Sequence, residues 1–484
     1  MDLIEGMLKK STIENSKGGE YYSTSYDSNL DLFSGVMRYT DEDKIIRIFK
    51  NAFKENKDLA VANLLYFLDI REGKGERKVF KILFNTLCNL DEKYAEIVLN
   101  SIMDLGRCDY ILEAFCTPLE KKAIDLINFQ LSKDLISDTP SLLAKWLPSV
   151  STHNKVKIKS VEIAKKLGYT ISGYRKMLSK IREKIDIVER KMSLNEWDKI
   201  DFEKVPTKAM LKYRNAFNKH CEEKYQKYLD SVNLGKAKVN TKGLFCYDII
   251  NKVSGSYRPS QSERNLFNAM WEQQKDIFKD NNSNVLVMAD TSGSMTWMDE
   301  AIGSSIGLAI YTAERNHGIF KDYYMTFSSK PLLQKVQGID IYDKVKNMEC
   351  IVDNTDIDEA FKLLLNTCVE NNIKQEDIPT HLIIVSDMEF DRGVYSENGT
   401  NFEGWKKAFE EKGYTLPQII FWNLGAGDGF PVTKFDNNVC MISGFSTSVL
   451  QNLLNSDVLS NLTPLNTMLD SLKKYLDIIE KGKQ

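Results

Sequence analysis

VLVMADTSGSM, residues 285–295, decides how the rest of the chain is read. Its uninterrupted apolar run, 285–289, has the length and character of a strand buried on both faces, as a parallel sheet requires. Asp290, Ser292, Gly293 and Ser294 follow where that strand ends. The C-terminal strand ends of an open α/β sheet form its ligand crevice. One carboxylate and two hydroxyls at alternate positions offer three hard oxygen donors from a single turn. That set suits a divalent metal such as Mg²⁺, with Mn²⁺ or Ca²⁺ as alternatives, better than zinc. The glycine lets the backbone bend close to the ion.

Two later segments complete the donor set. Thr355, in DNTDIDEAF, opens a helix pattern, and Asp387, in HLIIVSDMEFD, follows a second buried run at 382–385. Around them strand and helix alternate. Strands are predicted at 323–327, 418–423 and 439–442, with short antiparallel edge structure within 331–351. Helices are predicted at 301–314, 361–369, 405–409, 446–454 and 465–479. Such alternation implies a mostly parallel sheet. Asp-x-Ser-x-Ser, then a separate Thr, then a separate Asp, resembles the metal-ion-dependent adhesion site of von Willebrand factor A (vWA) domains. The resemblance implies an α/β, Rossmann-like vWA domain over 284–484. In that family Ser292, Ser294 and Thr355 would bind the metal directly, and Asp290 and Asp387 directly or through water. One coordination position would stay open for an acidic residue of a protein partner.

The 484-residue chain has room for two or three domains, and 42% hydrophobic with 27% charged residues is the composition of a globular protein. MDLIEGMLKK has no apolar core of signal-peptide length, and no run approaches the ~20 apolar residues of a membrane span, so no membrane contact is expected. The eight cysteines are scattered, without a CxxC pair, which fits free thiols in a reducing, cytoplasmic setting.

The net charge of −3 conceals an uneven distribution. Residues 1–140 carry 19 Lys+Arg against 24 Asp+Glu, residues 141–260 carry 26 against 12, and residues 261–484 carry 20 against 32. A basic middle between acidic ends is an electrostatic footprint for a polyanion, and equally the composition of solvated helix faces.

That basic middle lies in a region, 41–255, whose periodicity is helical almost throughout, from a capped start at Asp41 to long runs near 157–167, 172–192 and 207–232. Helices of these lengths with short joins predict an all-α, HEAT-like repeat array. Residues 1–40 are expected to pack along it, and 256–283 to form a connector helix. Arg and Lys neutralise phosphates, and aromatic or His rings stack on bases. Candidate RNA contacts are therefore Lys145, His153, Lys155, Lys157, Lys159, Arg175, Lys176, Arg182 and Lys191. The three lysines spaced by two cannot share one helical face, which favours a loop contact for at least one of them. Trp146, between two prolines, reads as a packing anchor.

A basic helical array followed by a vWA-type domain resembles the Ro autoantigen (TROVE-module) RNA-binding proteins. A fuller likeness, through DLFSG, DIREGKGERKVF, AKWLPS, SDMEFD, IIFWNL and SGFS, is to an uncharacterised plant, bacterial and viral family of the same layout. The Ro resemblance implies a non-enzymatic protein that holds single-stranded or small non-coding RNA on its helices. Two alternatives stay open. One is a metal-dependent protein-interaction scaffold without RNA. The other is a metal-dependent phosphodiesterase, suggested by Glu389 and Asp391 near Asp387 and weakened by the lack of a histidine motif.

Overall fold

The computed structural model describes the chain apart from residues 1–11, 15–17, 151–153, 242, 256–257, 280–283, 328–329, 349–355, 391–400, 426, 428, 447–448 and 451–461. Thr355, His153 and Asp391, and the side chains of Lys155 and Lys157, lie outside the described residues, as does most of the helix expected at 446–454.

The first half is helical. Asp41 caps the helix Glu42–Glu55 by accepting from the amides of Asp43 and Lys44, and Ile45, Phe49 and Phe53 bury one face of it. The next helix, Lys57–Leu68, is buried on every side from Ala60 onward, so it forms the centre of the array. Arg77–Leu90 and Glu92–Leu105 pack beside it. The array continues through Glu120–Ile136, Asn154–Lys166, Ile171–Lys184, Val188–Ser193 and Thr207–Asn233 to Cys246–Val253. Asp186, at φ 54°, lies in the break between the helices Ile171–Lys184 and Val188–Ser193, so the continuous helix expected at 172–192 is two. The helix expected near 157–167 begins earlier, at Asn154, so Lys155 lies on it with Lys157 and Lys159 and the loop expected for at least one of them is not found.

The second half is a six-stranded sheet ordered β5-β4-β3-β6-β7-β8. Its strands are β3 (Val285–Asp290), β4 (Tyr323–Phe327), β5 (Leu332–Lys335), β6 (His381–Ser386), β7 (Gln418–Asn423) and β8 (Val439–Ser443). All neighbours are parallel except β4 and β5, where the sheet ends in an antiparallel edge. Every residue of β3 and β6 is buried, as their unbroken apolar runs require. The register sets Ala289 beside Val385, which brings Asp290 and Asp387 to the same edge.

The two halves interlock. A short hairpin, β1 (Thr12–Glu14) with β2 (Glu20–Tyr22), lies on the sheet domain: Tyr22 and Phe430 exchange backbone hydrogen bonds of 2.9 and 2.8 Å. The helix after it, Ser28–Gly35, packs on Glu42–Glu55. At the other terminus, Pro464–Lys483 crosses back onto Lys57–Leu68, where Tyr475 donates to Asp69 at 3.1 Å. Cys246–Val253 lies flush on the helix Asp299–Arg315 because Gly303 and Gly307 leave room; a Cβ at Gly307 would stand 2.6 Å from that of Cys246. Lys74 reaches from the array to the end of β8, donating to the Phe33 carbonyl and, at 2.7 Å, to Ser443 Oγ.

Candidate metal centre and nucleic-acid interface

The β3 and β6 strand ends converge as the sequence pattern implied. Asp290 is fully buried, Asp387 is 4% exposed and Ser292 is 3% exposed. Asp290 Oδ1 accepts the Ser292 amide at 2.9 Å, and its Oδ2 accepts Ser386 Oγ at 2.6 Å. Ser305 Oγ donates to the Asp290 carbonyl at 2.8 Å, pinning the strand end from the neighbouring helix. The Ser292 and Ser294 hydroxyl oxygens are 3.0 Å apart. Asp387 Oδ1 accepts the Glu389 amide at 3.1 Å, and Met388 between them takes φ 66°. Gly425 allows β7's following loop to press on this turn; a Cβ there would fall 2.4 Å from that of Asp387.

Burial, and then the nearby charge of Asp387, push the Asp290 carboxyl up to about 6, against the pull of its hydroxyl and amide donors. Two acidic groups kept out of water beside two converging hydroxyls fit a hard divalent cation, whose charge would relieve that setting. Among the described residues there is no group of three or more His, Cys, Asp or Glu arranged to hold a metal, so an ion here would depend on the serine hydroxyls. His381 begins β6, at the end of the strand away from Asp387.

The helical array borders a cavity of about 1830 Å³ that is open to solvent. Residues from both ends of the array line it, from Arg38 and Glu42 to Phe245 and Tyr247, so the array curves round on itself. Its described lining holds eleven lysine and arginine side chains against three glutamates. Arg77, Lys78 and Lys81 come from one helix, and Arg107 from the loop before a short 3₁₀ turn. Lys145, Arg175, Arg182 and Arg190 come from the middle of the array, and Lys208 and Lys212 from the long helix after it. Tyr110, Trp146, Tyr213, Phe245 and Tyr247 stand among them.

Of the RNA contacts expected from sequence, Lys145, Arg175 and Arg182 line this cavity. Arg182 is largely committed to the protein: it donates to the carbonyls of Ala144 and Leu147 at 2.7 Å and to Ser149 Oγ, bracing the AKWLPS segment. Lys159, Lys176 and Lys191 are not part of the lining, and Lys191 pairs with Asp186 at 2.7 Å. Sequence reasoning missed Arg38, Arg77, Lys78, Lys81 and Arg107 because they lie in the acidic N-terminal stretch; REGKGERK, residues 71–78, could have pointed to Arg77 and Lys78.

A family model described as "Domain of unknown function (DUF7788)" matches residues 284–475, and one described as "Domain of unknown function (DUF2828)" matches 113–287. "Uncharacterized protein L728" of Acanthamoeba polyphaga mimivirus is 30% identical over 520 residues, which span 97% of this chain and 88% of the viral protein. The chain belongs to the family of that viral protein. Within this family member the DUF7788 match contains Asp290, Ser292, Ser294, Thr355 and Asp387, whereas Arg38, Arg77, Lys78, Lys81, Arg107 and Tyr110 precede both matches. The passage from one match to the next, at 284–287, falls on the start of β3. Among solved structures, "Crystal structure of Deinococcus radiodurans RO (RSR) protein" is similar to this member of the family with a TM-score of 0.40 and 10% sequence identity, over 93% of this chain and 99% of that one. Among the described residues no helix is long and apolar enough to cross a membrane.

Proposed function

We propose that this is a non-enzymatic RNA-binding protein whose HEAT-like, TROVE-type array holds single-stranded or small non-coding RNA in its cavity. The observation that carries the reading is the cavity wall, where eleven cationic side chains stand with aromatic rings between them; Arg38, Arg77, Lys81, Arg107, Arg190 and Lys208 are paired with carboxylates, and Lys78, Lys145, Arg175, Arg182 and Lys212 add to the wall's positive charge. Cations neutralise phosphates and release counterions, and rings accept unpaired bases, so the wall offers both halves of single-strand recognition. The sheet domain is read as a vWA domain in which Ser292, Ser294 and Thr355, with Asp290 and Asp387, would hold Mg²⁺. The ion, when bound, would supply a Lewis-acidic position for a carboxylate of a protein partner.

The test is nucleic acid carried through a gentle, low-salt purification. Discrete small RNAs that resist DNase and yield to RNase are expected, and sequencing would name them. A protein that emerges clean and also fails to shift single-stranded RNA at low salt overturns the reading. The second reading, a metal-dependent interaction scaffold, is favoured by Trp297, which is 90% exposed three residues after Ser294. Exposed tryptophans are suited to partner contacts. Co-purification of a protein that EDTA releases would favour it.

A further inference from the structure

Several aromatic rings of the array are fully buried, among them Tyr66, Phe67, Tyr174 and Phe217. Two stacked pairs on the cavity wall, one of them a guanidinium on a ring, are built differently. Trp146 is only half-buried, and the Arg107 guanidinium carbon sits 3.8 Å from its ring centroid. Asp109 accepts from Arg107 Nε at 3.0 Å and from Nη2 at 2.8 Å. That two-point grip fixes the guanidinium plane and offsets its charge. An arginine neutralised in this way and laid on an indole is a poor phosphate clamp and a good flat surface. The second pair is Phe245 and Tyr247, both half-buried, with centroids 5.4 Å apart and planes 20° from parallel. Lys208 Nζ lies 4.6 Å from the Phe245 centroid and is itself matched by Asp248 at 3.1 Å. In both places a cation is paired with an acid and spent on an aromatic face.

Resting on the reading of the cavity as an RNA site, we infer that Arg107–Trp146 and Phe245–Tyr247 are two base-stacking platforms, so the ligand class is unpaired nucleotides and not polyanions in general. Every base has a π-face, so stacking tolerates any sequence. It does require the base to be out of a duplex, where both faces are already covered. Cations of the same wall outside these two pairs, such as Arg175, then act on phosphates alone. The division of labour predicts two separable contributions: a salt-dependent one from charge, and a salt-independent one from rings.

The experiment uses the full chain with two probes of equal length and phosphate count, a single-stranded oligoribonucleotide and its abasic counterpart. The abasic probe is expected to bind on the order of tenfold or more weakly, with an unchanged salt slope. Trp146→Leu and Phe245→Leu should each weaken the RNA on the order of tenfold and leave the abasic probe alone, while Trp146→Phe retains most of the affinity. A measurement on the unaltered chain guards against misfolded variants: photocross-linking with 5-iodouridine RNA should place adducts on Trp146, Phe245 or Tyr247. Equal, salt-sensitive binding of both probes, or adducts confined to other residues, overturns the platforms and leaves the cavity reading standing. Failure of both probes to bind overturns the two together.

Discussion

Ser386 Oγ donates a 2.6 Å hydrogen bond to Asp290 Oδ2, tying the end of β6 to the end of β3 at the point where the two buried carboxylates meet. The bond orients Asp290 without neutralising it. Its carboxyl is pushed up to about 6 from the ordinary 3.8 by burial and by Asp387.

The pH dependence follows from that direction. Between roughly pH 4 and 6 the folded chain keeps a proton on Asp290 that the unfolded chain has released. Asp290 therefore lowers metal-free stability progressively as pH rises through that window, and above it the full cost of the buried charge is present. Asp290→Asn is expected to stabilise the metal-free protein at neutral pH by on the order of 1–3 kcal/mol. It should also abolish a response to metal. In the unaltered chain, Mg²⁺ at a hundred times its dissociation constant would add about 2.7 kcal/mol, and the gain should fade below about pH 6 as protons compete for Asp290. Thermal melts with Mg²⁺, Mn²⁺, Ca²⁺ and EDTA decide this. A wild-type melting temperature indifferent to all three ions would remove the metal centre from the account.

Lys74 supplies a second pH dependence, of opposite sign. Burial lowers its ammonium to about 7, although Glu76 and the nearby rings of Phe33 and Phe67 favour the charged form. From pH 7 toward 10.5 the unfolded state binds the extra proton, so stability rises with pH across that window. Below pH 7 the array holds a buried charge at its junction with β8. Lys74→Met should flatten the melting temperature between pH 7 and 10, while weakening the junction by losing the bonds to Phe33 and Ser443. A variant whose melting curve keeps the wild-type slope over that range would show that Lys74 is not the group responsible.

How much of this was legible beforehand differs sharply between the two sites. β3 and β6 announce themselves because a doubly buried strand must be an unbroken apolar run, and the first polar residue after it marks the strand end. Asp290 and Asp387 could thus be placed at one edge from local pattern alone. The cavity could not, because it depends on the array curving until Arg38 and Tyr247 share a wall. Charge counting directed attention to residues 141–260. It missed Arg77, Lys78 and Lys81 because acidic residues elsewhere on residues 1–140 mask them in a sum. It also counted Arg182 and Lys191 as available, whereas carbonyls and Asp186 engage them.

The junction between the halves rests on small residues. A Cβ at Gly307 would meet the Cys246 Cβ at 2.6 Å and Ile250 Cγ1 at 3.1 Å, both in the body of the opposing helix. At Gly303 the nearest atom is the Asn251 side-chain oxygen, at the end of an amide that can turn aside by giving up its bond to the Asp299 carbonyl. Gly307→Ala should therefore cost about 1–3 kcal/mol through overpacking, and Gly303→Ala less. Differential scanning calorimetry of the two variants checks the order. Equal effects would mean that the helices part as easily at one glycine as at the other.

The cavity wall contains cations with different engagements, which makes its charge testable residue by residue. Arg175 and Lys212 are exposed and line the cavity, whereas Lys176 is exposed but outside the lining. Arg175→Glu and Lys212→Glu should each weaken single-stranded RNA and make the salt dependence of log K shallower by roughly one unit of slope. Lys176→Glu, an identical change of charge one residue along, should do much less, since only distance and direction separate it from Arg175. Arg182→Ala should act on the fold instead, lowering the melting temperature by releasing the Ala144 and Leu147 carbonyls it holds. Binding isotherms at several salt concentrations separate these cases. If Lys176→Glu matched Arg175→Glu in both affinity and slope, the strand would be tracking the outer helix faces and the cavity would lose its claim to it.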